Sequence, residues 1–266
     1  MITALFLLQL LLTFLVGSTW IYLTVLAGTH FGSRIGGFIG GLPSTVLLSF
    51  FFIGFTQSPE SASRATTVFP LAIGISGLFL VVYAWLVRRG FLLALSVAIG
   101  TWLVLSCLIV LYHPAIFMLN LVIYVLTLFL AYHILEKCLF VTSIAGSKTD
   151  PSGGHMAVRS LFGGFVIMLT VFIAKIGGPV VGGIVTAFPA MSIATLTITH
   201  TVHGTEFSRA MTKPLMVTGM ITVAVYSVAM RYLYLSTDLY IGTVVSICIS
   251  AISAYLTYRY ILPRVI

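Results

Sequence analysis

The sequence predicts an all-α integral membrane protein of about nine transmembrane helices, arranged as two inverted-topology four-helix repeats joined by a central helix. Three observations carry that prediction. Hydrophobic residues fill 60% of the 266 positions and charged residues 7%, against about half and a quarter in soluble domains. Nine apolar stretches reach bilayer length. A short motif also occurs twice, as Gly36-Gly37-Phe38-Ile39-Gly40-Gly41-Leu42-Pro43 and as Gly182-Gly183-Ile184-Val185-Thr186-Ala187-Phe188-Pro189. Each copy leads through an apolar stretch to an acidic residue and a Ser-Arg-Ala triplet: Glu60 with Ser63, Arg64 and Ala65, then Glu206 with Ser208, Arg209 and Ala210. Pro70 and Gly74 follow the first copy, Pro214 and Gly219 the second.

The expected spans, in order, are 2–28, 36–56, 66–87, 91–112, 115–135, 159–177, 180–203, 214–235 and 239–258. The first lacks a basic leading region and is too long for the apolar core of a signal peptide, so it reads as a retained helix. The second and seventh carry Pro and several Gly and are expected to be bent or interrupted. Spans one to four form the first repeat (1–112), and 113–136 is a connecting transmembrane helix. A cytoplasmic connector loop (137–158) includes the turn-rich Ser147-Lys148-Thr149-Asp150-Pro151-Ser152-Gly153-Gly154. The second repeat is 159–266. One connecting helix flips the second repeat, so the two copies cross the membrane in opposite directions.

Basic residues set the expected orientation. With the N-terminus outside, one face receives Arg34, Arg88, Arg89, Lys137, Lys148, Arg159, Arg209, Lys213, Arg259 and Arg264. The other is left with Arg64, Lys175 and Arg231. That bias predicts an N-terminus outside and a C-terminus in the cytoplasm, in a multi-pass protein expected in the cell (inner) membrane. The formal charge of +8 then reflects topology and attraction to anionic lipid, and no basic soluble domain is present to bind nucleic acid. Cys107, Cys138 and Cys248 lack CxxC spacing and imply neither a disulfide scaffold nor a metal cluster. No P-loop, zinc-protease motif or nucleophile elbow occurs, so the chain does not read as an enzyme and no cofactor is expected.

Chemistry is expected where polar groups enter apolar spans, because ionisable groups at membrane depth are expensive. Gly40, Gly41 and Pro43 in the first repeat, and Phe188 with Pro189 in the second, would break their spans and free backbone groups near the midplane. Ser192, Thr195, Thr199, His203 and Glu206 step by three or four residues and share one helical face; Thr195 and Thr199 are expected near the site that the breaks form. Glu60 and Arg64 stand at i, i+4, Glu206 and Arg209 at i, i+3. These pairs read as local helix-surface ion pairs or as gates, one per membrane face, with arginines suited to an anion. Glu60 or Glu206 is also a candidate proton-coupling acid. His200, His203 and Glu206 form H-x-x-H-x-x-E, a candidate divalent-metal set, although on a regular helix the three rise ~9 Å. Lys175 and Arg231, close to span ends, read as snorkelling cations. His133 and Glu136 read as interfacial, Asn120 as a helix–helix hydrogen bond, and Trp20, Trp85 and Trp102 as interfacial or lipid-facing.

The run Val180-Val181-Gly182-Gly183-Ile184-Val185-Thr186-Ala187-Phe188-Pro189, with Gly204-Thr205-Glu206 and Arg209 beyond it, resembles the GlpM-like family of small four-helix bacterial inner-membrane proteins. The likeness covers about 159–258, and the first repeat keeps Leu42-Pro43, Glu60 and Arg64. The interval from Pro189 to Glu206 is longer than in the family pattern. The resemblance implies a duplicated, fused version of a unit that otherwise pairs with itself, in a family associated by name with exopolysaccharide production.

The residues themselves lead to a gradient-driven transporter of a small polar or anionic solute, working by alternating access, with proton coupling open. The expected partners are that solute or ion and the bilayer, in a monomer or homodimer. Two alternatives stand beside it. One is a divalent-metal transporter; the other is a non-transporting accessory protein or lipid flippase of envelope polysaccharide or lipid biosynthesis.

Overall fold

Long apolar runs punctuated by a few prolines and glycines set the architecture. The computed structural model describes residues 3–30, 43–112, 114–142 and 153–261, and every regular element among them is helical. Gly40, Gly41 and residues 143–152 of the connector loop expected at 137–158 lie outside the described residues. The helices are α1 (Ala4–His30), α2 (Ser44–Thr56), α3 (Pro59–Ala65), α4 (Phe69–Leu86), α5 (Phe91–Tyr112), α6 (Phe117–His133), α7 (Gly153–Thr186), α8 (Ala190–His203), α9 (Thr205–Ala210), α10 (Ile221–Ser236) and α11 (Leu239–Leu256). Wide π turns extend α6 over Ile134–Cys138, lead into α10 over Leu215–Met220 and extend α11 over Thr257–Ile261.

Seven helical stretches among the described residues are long and apolar enough to cross a membrane: Ala4–Thr24, Phe69–Arg89, Phe91–Tyr112, Phe117–Cys138, Gly153–His203, Thr205–Ser236 and Leu239–Ile261. Of the expected second span, only α2 is described; its 13 residues fall short of the ~20 a crossing needs. The expected sixth and seventh spans both lie in the 51-residue stretch Gly153–His203, which starts six residues before the boundary at 159 drawn from hydropathy. That stretch does not run straight. Gly178 takes φ 83° and ψ 174° ahead of Pro179, a conformation open to glycine. Gly182 then lies so close to Ala174 that a Cβ on the glycine would overlap the alanine's. Residues eight apart in an unbroken helix are ~12 Å apart, so the chain doubles back at Gly178.

Local chemistry accounts for the other boundaries. Ser58 caps α3 by accepting from the Ser61 N–H at 3.1 Å, with Pro59 in the first turn. Asp238 caps α11 through the Tyr240 and Ile241 N–H groups at 2.7 and 2.8 Å. Gly204, at φ 83°, ends α8. The residues before α2 and α8 have nearly the same backbone: Pro43 at φ −78°, ψ 49° and Pro189 at φ −77°, ψ 43°.

Helix α4 is central, with 72% of its spanning window buried, against 28% for α1 and α5 and 22% for α6. Phe50, Phe69, Phe79, Leu80 and Tyr83 are fully enclosed around it. The outer helices present residues such as Leu8, Leu92, Leu126, Phe129 and Ile252 outward, the surface a lipid-facing helix requires.

Helices α1 and α7 cross at glycines. A Cβ on Gly17 would meet Ile167 at 3.0 Å, and one on Gly163 would run into Ile21. In both, 146 residues separate the matching positions, Gly17 from Gly163 and Ile21 from Ile167. Lys175 lies over the Phe6 ring at 5.6 Å. As the α1 partner moves toward the N-terminus the α7 partner moves toward the C-terminus, so the two helices run antiparallel. Small residues at such crossings let backbones approach and dispersion hold them.

Candidate functional site

Helix α4 connects two polar clusters at opposite ends of the bundle, about 30 Å apart along its axis. The break at Pro189 lies between them. There the Ala187 carbonyl, with no helical partner downstream, accepts from Ser76 Oγ at 2.8 Å. Trp102 Nε1 donates to that Ser76 oxygen at 3.0 Å, and its ring meets Phe188 edge-on at 5.2 Å. Ser76 stands about 10 Å along α4 from Phe69, so the break is inside the bundle. Trp102 is buried at mid-span rather than lipid-facing, and a tryptophan so far from a span end is the signal that marks it.

Thr199 is buried and donates to the Thr195 carbonyl at 2.7 Å, and Thr197 bonds back to Ile193 in the same way. These hydroxyls satisfy their own helix and keep only acceptor capacity for anything passing. Ser192 and Thr195 are half-buried on the same helix.

At the Glu206 end, Arg88 Nε and Nη2 donate to the two Glu206 carboxylate oxygens at 2.7 and 2.8 Å. This is the bidentate fork that guanidinium geometry favours. The expected i, i+3 partner, Arg209, reaches Glu206 only at 4.0 Å. Its guanidinium is buried, donating through Nε to the Ala84 carbonyl at 2.9 Å and through Nη2 to the Leu139 carbonyl at 2.5 Å. Tyr83 donates to Ser208 Oγ at 3.0 Å. Buried Lys213 pairs with Glu136, so Glu136 is part of this cluster as well as close to the end of α6.

The metal set does not assemble. His200 stacks on Phe91 with ring centres 4.3 Å apart, His203 packs on Phe207 at 4.6 Å, and Glu206 faces Arg88. Gly204 breaks the helix between His203 and Glu206, removing the continuous helical face that the spacing assumed. Among the described residues no three His, Cys, Asp or Glu side chains are grouped to hold a metal ion.

At the Glu60 end, Glu60 is exposed and its carboxyl is held below the ordinary value by hydrogen bonds from its own backbone N–H and from Ser58, with the field of Arg64 assisting. No ion pair within 4.0 Å joins it to Arg64, which is exposed. Arg231 fills the role instead. Its Nη1 donates to the Ser63 carbonyl at 3.2 Å and to the Thr66 and Thr67 hydroxyls at 3.1 and 3.0 Å. Ser63 Oγ donates back to the Arg231 carbonyl at 2.9 Å, and the guanidinium lies over Phe117 at 4.4 Å. It does not snorkel: the polar turn of α3 comes to meet it. Asn120, expected to bond helix to helix, instead donates through Nδ2 to the Thr67 carbonyl at 2.7 Å, in the turn between α3 and α4, and to the Pro114 carbonyl at 3.0 Å just before α6. Lys175 is exposed, in keeping with the snorkelling reading.

The arrangement is therefore two short-helix hairpins, α2–α3 and α8–α9. Each is pinned by a cation at the far end of a long helix from the other half of the chain. Arg88 and Arg231 were the residues missed. A cation one turn inside an apolar span is the signal for Arg231. Arg88 carries none, since its partner is 118 residues away. No protein-family model, curated protein or solved structure matches the chain.

Proposed function

We propose that the chain is a secondary transporter of a small polar or anionic solute, built from two inverted-topology repeats and working by alternating access. The observation that carries the proposal is the pair of pinned hairpins at opposite ends of one central helix. The reciprocal contacts of Gly17 with Ile167 and Gly163 with Ile21 support the repeat arrangement, as does the shared backbone of Pro43 and Pro189. Antiparallel crossing of matching helices is what inversion requires, and inverted repeats let one sequence exchange which end is open. Each hairpin would be a gate, and opening one end while the other stays pinned gives alternation. The Arg88–Glu206 latch is exposed, so breaking it costs little in stability, as a gate requires. With the basic-residue bias placing the Glu206 end in the cytoplasm, Arg231 would guard the outer end.

The test is flux in proteoliposomes carrying a lumenal pH dye, screened against pools of anions, amines and divalent metals. Cysteines 107, 138 and 248 are replaced first, because all three are exposed. Residues 88 and 206 are then converted to Cys and joined with a bifunctional thiol reagent. Flux that the cross-link stops, and the uncoupled double variant retains, supports the gate. Flux indifferent to the cross-link rejects it. The GlpM-like resemblance favours a second reading, an accessory protein of exopolysaccharide synthesis. Its sign is co-purification with a synthase and no flux from any pool.

A further inference from the structure

Arg231 is held in an unusual way. Among the described residues only Nη1 is engaged, by three neutral oxygens at 3.0–3.2 Å. Its plane is fixed from one side by Phe117 at 4.4 Å, a cation–π contact that adds to the positioning. Nε and Nη2 form no hydrogen bond within the described residues and are not among the buried unpartnered atoms. The edge that binds two oxygens side by side is thus open, on a side chain that is half-buried and already oriented.

No carboxylate of the described residues neutralises it. Glu136 pairs with Lys213 and Glu206 with Arg88. The remaining two are engaged locally: Glu60, in the first turn of α3, bonds with its own N–H and Ser58, and Asp238 caps α11 by accepting from Tyr240 and Ile241. Arg209 provides the internal contrast. Its Nε and Nη2 are both spent on the carbonyls of Ala84 and Leu139, with Glu206 beside it, so its fork is closed and its role is structural. An unneutralised guanidinium in a partly desolvated place attracts a counter-ion, and a planar fork selects two coplanar oxygens.

We infer that Arg231 is the recognition residue of an oxyanion site, taking a carboxylate or phosphate group on its Nε/Nη2 edge while Phe117, Thr66 and Thr67 hold the guanidinium still. The binding claim stands by itself; that the bound oxyanion is the transported solute rests on the proposed function. The same group is carried by a free anion or by an anionic lipid headgroup, and the test separates them.

The protein is placed in nanodiscs of neutral phosphatidylcholine and titrated at constant ionic strength with acetate, inorganic phosphate and chloride, following thermal unfolding. A second arm compares phosphatidylcholine with phosphatidylglycerol discs without added oxyanion. The expected result is a saturable rise in midpoint with acetate or phosphate above that with chloride, absent in Arg231→Gln and weakened ~10-fold or more in Arg231→Lys, which keeps the charge and loses the fork. A rise seen only with phosphatidylglycerol, and lost in the same variants, assigns the site to lipid. No rise in any arm overturns the inference, and so does an equal rise in wild type and Arg231→Gln. If Arg231→Gln does not fold, Arg231→Lys decides, because unchanged affinity there also overturns it. Binding with no flux from any pool sinks the transport reading and leaves the site; flux of other solutes without oxyanion binding does the reverse.

Discussion

Arg88 and Glu206 are joined by two hydrogen bonds of 2.7 and 2.8 Å across 118 residues of chain, tying the end of α4 to the first turn of α9. Both side chains are more than half exposed, at 59% and 55%. Their pairing sets position far more than stability. The buried contacts beneath them, Tyr83 with Ser208 and Arg209 with the Ala84 carbonyl, are what hold the hairpin when the latch is closed.

Removing the latch should therefore separate stability from access. In a cysteine-free background carrying Ser208→Cys, Arg88→Ala should leave the thermal midpoint close to that of the parent. Labelling of the buried thiol by a small maleimide should become several-fold faster, since local opening exposes it. Equal labelling rates with and without Arg88 would show that the pair does not restrain the hairpin.

The polar chain at the helix break gives a stability prediction. Ser76→Ala removes the hydroxyl that serves both the Ala187 carbonyl and Trp102 Nε1. Both are left without a partner in an apolar interior, which costs about 1–3 kcal/mol per group. Ser76→Thr keeps the hydroxyl and should lose much less. Denaturation in detergent, followed by tryptophan fluorescence, checks the order wild type, Thr, Ala. An alanine variant as stable as wild type would mean the break is satisfied by other groups.

How much of this was legible in the sequence follows from the range of each interaction. The break at Phe188 and Pro189 was readable because proline acts on its own backbone. The caps by Ser58 and Asp238 depend on residues two or three positions away and have the same local character. The pairing rule that works at i, i+3 and i, i+4 supplied Glu60 with Arg64 and Glu206 with Arg209. In the fold, Glu206 turns to Arg88 and Glu60 to its own backbone, because tertiary neighbours compete with local ones and the local rule cannot see them. The turn at Gly178 was legible for the same reason as the break at Pro189. The expected sixth span stops at 177 and the seventh starts at 180, on either side of Gly178 and Pro179, and Ala174 against Gly182 shows the reversal there.

Gly183 in the repeated motif and Gly164 at the α1 crossing are predicted to be intolerant because of what they face. A Cβ on Gly183 would enter the carbonyl oxygen of Ala65, the last residue of the Ser-Arg-Ala triplet in the other half, and one on Gly164 would enter Ser18 and the backbone of α1. Neither obstacle is the far end of a flexible side chain. Gly183→Ala and Gly164→Ala should each cost ~1–3 kcal/mol through displaced helices. Gly219→Ala, with open space around its Cβ position, should cost less than either. Chemical denaturation of the three variants side by side is the check, and equal loss in all three would contradict it.

The remaining prediction concerns Glu60 and its use as a proton carrier. Its carboxyl lies below the ordinary value of 4.5 because its own N–H and Ser58 bond to the charged form. A carboxyl lowered by folding adds stability that is complete above its unfolded pKa and is lost as pH falls through its folded value. Between about pH 6 and 8 the group stays ionised, far above the ordinary glutamate range of about 4.3. It then neither takes up nor releases a proton in this conformation. Glu60→Gln should leave the pH dependence of stability across that range unchanged and flatten part of the acid limb. In proteoliposomes it should likewise leave the pH profile of any flux unchanged between about pH 6 and 8. A profile displaced in that range would mean that Glu60 enters a drier surrounding during the cycle, where its pKa rises and proton coupling through it becomes available.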